Sequence, residues 1–215
     1  MADKGLNDLL KWSIENQDIK AEDGTAAAPS DRTPSNLTPE AIAALFGGGP
    51  SDAELMISSM QAIHNPEVSL EHKLIAFDNF EQLIESLDNA NNMANMSLWT
   101  PLLDCLAHEE HDIRRMAAWC VGTAVQNNAP SQERLFAMGG VPKLIGIAAN
   151  AEEKEPVRRK ALYALSSAVR NYQPALDVCI EELSKKGIET GKADAENMDA
   201  VDAIINALKA KYGQA

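Results

Sequence analysis

A helical segment that occurs twice constrains this chain more than any other sequence feature. Residues 113–127 align without a gap to residues 157–171, 44 positions later. In this alignment Trp119 matches Tyr163 and Asn127 matches Asn171, and a weaker copy lies 41 residues upstream at positions 72–86. Helical units that recur every forty-odd residues are typical of α-solenoids, in which each repeat packs on the next.

The apolar positions of the three copies predict which side of each helix is buried, because they follow helical spacing. We expect the core face of the first copy to consist of Ile75, Ala76, Asn79, Phe80, Leu83 and Ile84. The second copy would bury Met116, Ala117, Cys120, Val121, Ala124 and Val125. The third would bury Ala161, Ala164, Leu165, Ala168 and Val169, with Lys160 at the rim.

Shorter periodic segments separate the copies and complete the repeat unit. Residues 98–106 correspond to residues 140–148, and residues 131–140 read as a short helix closed by glycine. A short, a medium and a long helix per unit is the armadillo arrangement. We therefore predict an all-α, armadillo-like, right-handed α-solenoid over residues 51–215, in which Val201–Ala210 forms a C-terminal capping helix.

The first fifty residues are predicted to lie outside this solenoid. Within residues 1–17, the segment Leu6–Asn16 has the spacing of a short amphipathic helix, which is too short to be stable alone. Either it packs on the end of the solenoid or it binds a partner, and its apolar side chains are Leu6, Leu9, Leu10, Trp12 and Ile14. Residues 18–50 are expected to be a flexible linker with one short helix that starts at Thr38.

Composition excludes several classes of function. A formal net charge of −13 repels phosphate backbones, so nucleic-acid binding is disfavoured. Neither a secretory signal nor an apolar run long enough to span a membrane is found, and the three cysteines read as buried, reduced thiols. These features indicate a cytoplasmic protein.

No motif predicts catalysis, a metal or a cofactor. The run His108–Asp112 has two histidines three residues apart rather than four, and we expect it to be a solvated charged loop between repeats. The three glycines at 47–49 lack the Lys-Ser/Thr and the preceding strand of a phosphate loop. We therefore predict that the chain is not an enzyme.

The outward positions of the long helices are the remaining candidates for a binding surface. In an armadillo stack these helices line a concave groove. The predicted groove residues are Asp78, Gln82 and Ser86, then Trp119, Thr123 and Asn127, then Tyr163, Ser167 and Asn171, with Glu85, Gln126 and Arg170 beside them. An alternative for Trp119 and Tyr163 is that they are half-buried packing residues.

An armadillo adaptor that binds an extended peptide in this groove is one functional hypothesis. Nuclear-import receptors carry a Trp and an Asn four residues apart on each such helix. Here the equivalent pairs are Asp78/Gln82, Trp119/Thr123 and Tyr163/Ser167, so the asparagine ladder is missing. Binding of basic localisation peptides is therefore disfavoured.

Several stretches resemble a different family. They are residues 9–14, 45–50, 74–92, 122–128 and 159–165, and the run Leu-Asp-Asn-Ala-Asn-Asn at 87–92 is the most specific of them. The chain resembles the fungal armadillo-type nucleotide exchange factors of the cytosolic 70-kDa heat-shock chaperone, which are related to the animal heat-shock-protein-binding protein. The resemblance covers nearly the whole chain.

The resemblance implies a co-chaperone that binds the ATPase domain of the chaperone, opens its nucleotide cleft and promotes release of ADP and of clients. It adds Asn89, Ala90 and Asn91 to the groove residues as chaperone-binding positions, and it assigns client release to the N-terminal segment. We expect a monomer without a cofactor. Better-known members continue for further armadillo units, so basic contact residues of a later repeat have no counterpart here.

Overall fold

The computed structural model describes residues 49–212, and its helices belong to a unit that begins at Asp52. The predicted helices at 6–16 and 38–46 lie outside the described residues, as do Leu9, Leu10, Trp12 and Ile14. No helix in the described range is long and apolar enough to cross a membrane.

The described chain folds into ten α-helices and one 3₁₀ helix, without a β-strand in that range. The 3₁₀ helix spans Cys105–Ala107, directly after α4. The α-helices are α1 (Asp52–His64), α2 (Leu70–Ile84), α3 (Leu87–Asn92), α4 (Trp99–Asp104), α5 (His111–Val125), α6 (Ala129–Ala137), α7 (Gly140–Ala148), α8 (Glu155–Val169), α9 (Gln173–Lys185) and α10 (Met198–Tyr212).

The predicted three-helix unit that ends in a long helix is found twice, as α3–α4–α5 and as α6–α7–α8. The predicted difference between a short and a medium helix is wrong, because the first two helices have 6 residues each in one unit and 9 each in the other. The pair α1–α2 precedes them, and α9 and α10 close the series. The all-α prediction is confirmed for the described chain, and the handedness of the stack stays a prediction. The last helix is longer than predicted, because it spans Met198–Tyr212 rather than 201–210.

The boundary of α2 corrects one prediction. Ser69 caps the start of the helix, since its side chain accepts a hydrogen bond from the backbone N–H of His72. The helix ends at Ile84 rather than at residue 86, where the repeat copy ends, and the Leu-Asn run at 87–92 forms a separate six-residue helix, α3. The chain turns at this break, between the α1–α2 pair and the α3–α4–α5 unit.

Close approach between α5 and α8 depends on small side chains. A Cβ atom placed on Gly122 would lie 2.5 Å from the Tyr163 ring and 3.1 Å from the Cα of Ala164. Ala117, Ala161 and Ala164 are all fully buried. Because protein interiors are close-packed, these small residues set how closely the two long helices approach.

The predicted core faces of α5 and α8 are confirmed, and that of α2 is partly wrong. All the residues predicted for the second and third copies are buried, but Ile75 is 50% exposed and Asn79 is exposed. The core side of α2 uses Phe77 and Phe80, both fully buried, in addition to Ala76. In α5 the equivalents of Ile75 and Asn79 are buried, and Cys120 lies against the carbonyl of Phe77 in α2, whereas the corresponding positions of α2 stay exposed in the described chain.

Two arginines that match in the repeat alignment hold the loops at the start of the long helices. Arg114 binds Glu153 through two hydrogen bonds, of 2.6 and 2.8 Å, and donates to the carbonyls of His108 and Glu109. Arg158 is buried and donates to the carbonyl of Glu153. The interaction with Glu153 raises the pKa of Arg114. Burial alone would raise the pKa of Glu153, but hydrogen bonds from Arg114 and the backbone lower it overall.

The His108–Asp112 run is only partly the loop that was predicted. His111 and Asp112 already belong to the first turn of α5, and Asp112 accepts a hydrogen bond from Arg115. The backbone N–H of Glu110 donates to Nδ1 of His108. Among the described residues no group of three or more His, Cys, Asp or Glu side chains is placed to hold a metal ion.

Candidate partner-binding face

The outward sides of α2, α5 and α8 form one connected surface, which we call the long-helix face. It comprises Asp78, Gln82, Trp119, Thr123, Gln126, Tyr163, Ser166 and Arg170. Each helix contributes residues three or four apart, which is the spacing that keeps side chains on one side of a helix. Polar contacts connect neighbouring helices across this surface, as follows.

At the junction of α2 and α5, a hydroxyl group binds a buried carboxylate. Thr123 Oγ1 donates to Glu81 Oε1 at 2.6 Å, and the residue Glu81 is only 5% exposed. A buried carboxylate without a donor is costly, so this hydrogen bond stabilises the register between the two helices. Beside it, Gln82 Nε2 donates to Asp78 Oδ2 at 3.1 Å on the surface of α2.

At the junction of α5 and α8, a lysine lies against two aromatic rings. Lys160 Nζ is 3.5 Å from the centre of the Trp119 ring and 5.7 Å from that of Tyr163. Burial lowers the pKa of Lys160. Tyr163 also donates its hydroxyl hydrogen to Gln126 Oε1 at 3.0 Å. The cation–π contact and this hydrogen bond hold both aromatic side chains in fixed positions.

Beyond Tyr163, the face opens into a cavity of about 360 Å³ that is lined by Gln126, Asn127, Tyr163, Ser166, Ser167 and Arg170. Arg170 Nε donates to Ser166 Oγ at 3.0 Å, and its Nη2 atom donates to Asp202 of α10. The arginine therefore connects the third long helix to the last helix of the chain.

The structure brings together most of the predicted groove residues, but it gives three of them a different role. Asn127 and Asn171 lie just past the ends of α5 and α8 with φ of 52° and 58°. Among non-glycine residues, asparagine adopts this left-handed conformation with least strain. Their match in the repeat alignment is therefore explained by the backbone. Ser167 is only 8% exposed, and its carbonyl accepts a hydrogen bond from Gln132.

The Asn-rich run in α3 is largely structural. Ala90 is 1% exposed and packs in the core. This corrects the expectation that Ala90 is a position that contacts the partner. Asn89 donates to Asp52 Oδ2 at 2.8 Å and to the carbonyl of Leu83 at 2.9 Å, which ties α3 to α1 and α2. Asn91 is exposed, and its Oδ1 accepts a hydrogen bond of 3.5 Å from Ser131 Oγ. Of Asn89, Ala90 and Asn91, it is the residue available to a partner.

Two contributors to the face were not predicted from the sequence as site residues. Lys160 was placed only at the rim of the core, although an aromatic residue three positions later on the same helix is a usable signal for a cation–π contact. Glu81 had no such signal, because its partner Thr123 lies 42 residues away on another helix.

Two family models match this chain. The model described as "Nucleotide exchange factor Fes1" matches residues 6–93, and the one described as "SIL1/FES1/HPBP1 C-terminal domain" matches residues 89–182. The chain belongs to the Fes1 family. The two matched regions overlap at α3, where the turn between the first two units lies.

Three curated relatives show how much of the chain the likeness covers. A Gibberella zeae protein described as "Hsp70 nucleotide exchange factor FES1" is 61% identical over the full length of both chains. A Neurospora crassa relative described as "Hsp70 nucleotide exchange factor fes-1" is 50% identical over 97% of this chain and 98% of its own. The Saccharomyces cerevisiae relative is 46% identical over 78% of this chain but 57% of its own. The resemblance inferred from the sequence is thereby confirmed.

Proposed function

We propose that this chain is a co-chaperone that binds an Hsp70 chaperone and accelerates the exchange of its bound ADP for ATP. The observation that carries the proposal is 61% identity over the full length of a relative described as an Hsp70 nucleotide exchange factor.

The long-helix face is the surface that we assign to the ATPase domain of the chaperone. It spans three helices, and the contacts of Thr123, Lys160 and Tyr163 hold it in one arrangement before a partner arrives. A preorganised surface loses little conformational entropy on binding. It can therefore favour one conformation of a partner over another.

The proposed mechanism requires a difference in affinity between two states of the chaperone. A face that binds the ATPase domain better when its nucleotide cleft is open shifts the population toward the open state, from which ADP leaves. Equal affinity for both states would change nothing. No residue of this chain needs to touch the nucleotide.

The distribution of charge along the long-helix face would orient the chaperone as it docks. Residues 51–110 contain eleven acidic residues and one Lys, whereas residues 111–172 contain nine Lys and Arg and five acidic residues. The α2 side of the face carries exposed Asp78 and Glu85, and the α8 side carries Lys160 and Arg170. Such a polarity orients an approaching partner and makes the association rate depend on salt.

The remaining parts of the proposal concern the N-terminal segment and the setting. We assign release of bound clients to Leu9, Leu10, Trp12 and Ile14, whose apolar side chains could compete with a client for the chaperone. We further propose that the protein acts as a cytoplasmic monomer and has no enzymatic activity of its own.

The experiment that tests exchange is stopped-flow release of a fluorescent ADP analogue from a purified Hsp70. The wild-type protein should accelerate release at substoichiometric concentration, and Gln126→Arg on the exposed part of the face should weaken this effect. Lys209→Gln, an exposed change on α10, is the matched control. An unchanged ADP-release rate at saturating wild-type protein would refute the proposed function.

A second arm separates client release from exchange. Replacing Leu9, Leu10, Trp12 and Ile14 by Ser in the full-length chain should leave ADP release unchanged while a fluorescent peptide stays on the chaperone longer. Equal peptide release by the variant and the wild type would contradict the role of this segment. Capture of extended peptides without any binding to the chaperone would instead support the adaptor hypothesis.

A further inference from the structure

One cation on the long-helix face has no partner within the described chain. Lys160 is half-buried, and its Nζ atom lies 3.5 Å from the centre of the Trp119 ring of α5, the helix that packs against both α2 and α8. The neighbouring arginines each pair with a carboxylate: Arg115 with Asp112, Arg159 with Glu155 and Arg170 with Asp202. Lys160 forms neither an ion pair nor a hydrogen bond with any residue that the structure describes.

Glu81 is the carboxylate that acts on Lys160, but it is held by another donor. It is buried, and its Oε1 atom accepts the hydrogen bond from Thr123. Burial lowers the pKa of Lys160, the charges of Arg115 and Arg159 add to this, and Glu81 opposes it. A lowered pKa means that the ammonium form is less stable here than in water. A carboxylate supplied by a partner would offset that cost.

The ammonium group of Lys160 remains accessible to such a partner. Within the described range, the fully buried side-chain nitrogen and oxygen atoms without a hydrogen-bond partner are Nε and Nη2 of Arg158 and Oγ1 of Thr190. Nζ of Lys160 also lacks a hydrogen-bond partner but is not one of these buried atoms, so an incoming group can reach it. A lysine ammonium can donate three hydrogen bonds.

Two aromatic rings hold this ammonium in place before a partner binds. Nζ lies over the Trp119 ring and 5.7 Å from the centre of the Tyr163 ring. Fixing a long lysine side chain normally costs conformational entropy, and here much of that cost is already met in the free protein. A partly desolvated charge also interacts more strongly with an opposite charge than an exposed one does.

From an ammonium that is unpaired, accessible and held on an aromatic ring, we propose that Lys160 pairs with a carboxylate side chain of the chaperone's ATPase domain. The inference rests on the proposed function and names the chemistry that the chaperone must present to the long-helix face. Once the two surfaces meet, the chaperone also covers the open parts of Trp119 and Tyr163 and excludes water from the pair. Charged and aromatic residues enclosed in this way contribute most to the affinity of protein interfaces.

The test compares Lys160 variants of the full-length protein by their Kd for a purified Hsp70, measured by isothermal titration calorimetry. Lys160→Met keeps a long side chain on the Trp119 ring without its charge, and it should raise Kd by about tenfold. Lys160→Arg keeps the charge and should stay within about threefold of the wild type. Lys209→Gln removes an exposed lysine of α10 and should have no effect.

Ionic strength separates the charge of Lys160 from its packing. Salt screens opposite charges as they approach, so the difference in Kd between wild type and Lys160→Met should narrow between about 50 and about 300 mM KCl. The melting temperature of Lys160→Met should fall by no more than about 4 °C, because an open cation–π contact contributes little to stability. A difference in Kd that is equal at both salt concentrations, or a Lys160→Arg variant as weak as Lys160→Met, would overturn the carboxylate pair.

A double-mutant cycle tests whether Trp119 holds the lysine for binding. Trp119→Leu should raise Kd, and adding Lys160→Met should then weaken binding less than it does in the wild type. Strictly additive effects would show that Lys160 binds independently of the ring, which would overturn the preorganised arrangement.

Failure of this inference and failure of the proposed function give different results. If wild-type protein accelerates ADP release and Lys160→Met binds Hsp70 as tightly as the wild type does, the carboxylate pair is overturned and the exchange function stands. If wild-type protein does not bind Hsp70, the exchange function is overturned and the inference with it.

Discussion

Helices α2 and α5 are copies of one another at a spacing of 41 residues, yet they bury different faces. Asn79 in α2 is exposed, whereas the equivalent Cys120 in α5 is fully buried and its thiol lies 3.9 Å from the carbonyl of Phe77. Ile75 is 50% exposed and the equivalent Met116 only 4%. The difference shows that the position of a residue in the repeat does not determine whether it is buried. Its burial depends on whether a neighbouring helix packs over it.

The largest expected effect comes from placing a carboxylate at Cys120 in α5, compared with the same change at the equivalent Asn79 in α2. Cys120→Asp buries an unpaired carboxylate and should cost about 3–5 kcal/mol of unfolding free energy, enough to unfold much of the protein. Asn79→Asp at the equivalent exposed position should change it by about 0.5 kcal/mol or less. Urea unfolding followed by circular dichroism measures both, and similar costs for the two variants would break the comparison.

The next effect concerns the arginine at the start of the long helix. Glu153→Gln removes a buried partner of Arg114 and should cost about 2–4 kcal/mol. Lys73 is the α2 residue equivalent to Arg114 and has no ion pair in the described chain, so Lys73→Met should cost about 0.5 kcal/mol or less. The Arg114–Glu153 ion pair therefore stabilises α5 and the loop before α8, and it has no counterpart at α2.

The Glu153 effect should depend on pH in a defined direction. The pKa of Glu153 is lower in the folded than in the unfolded protein, so its contribution is present above the ordinary carboxyl pKa. It is lost as the pH falls through the folded pKa. The stability difference between wild type and Glu153→Gln should therefore shrink on acidification, and a difference that grows in acid would contradict the ion pair.

A smaller effect separates a glycine inside the stack from one on its surface. Gly122→Ala forces a methyl group against Tyr163 and Ala164 and should cost about 1–3 kcal/mol. Gly146→Ala meets nothing and should stabilise the protein by about 0.5–1 kcal/mol. Thermal unfolding of the two variants should give shifts of opposite sign, and a stabilising Gly122→Ala would show that α5 and α8 are less closely packed than described.

The smallest effect is the expected lack of thiol reactivity. Burial raises the pKa of Cys105 and Cys179 to about 12 and that of Cys120 well above its ordinary value. Since the thiolate is the reactive form, native protein at pH 8 should react slowly with Ellman's reagent, whereas unfolded protein should release three equivalents. Rapid reaction of one thiol in the native state would identify a unit that opens locally.

Prediction from the sequence succeeded where the determining interactions are local or repeated. The bounds of α7 were predicted as 140–148 and are the same in the structure, because glycine precedes a strongly apolar run there. The buried faces of α5 and α8 were also predicted, because each is flanked by other repeats. The face of α2 was mispredicted because the alignment transferred to it the burial of an interior helix.

The candidate site shows the same limit. Asn127 and Asn171 matched in the alignment and suggested a ligand ladder, but their left-handed backbone explains the match. Ala90 stood in a family-specific motif that suggested a contact, and it is buried. A conserved-looking pattern in one sequence does not distinguish a residue that holds the backbone from one that touches a partner.

The sequence by itself determined the helical repeat, its three-helix unit that ends in a long helix, and the family, because these depend on local periodicity and on contiguous motifs. Only the tertiary structure decided which helix face stays open, which carboxylate Thr123 binds and where Gly146 leaves space. The physical reason is that each of these depends on residues about forty positions apart, brought together when one helix packs against the next.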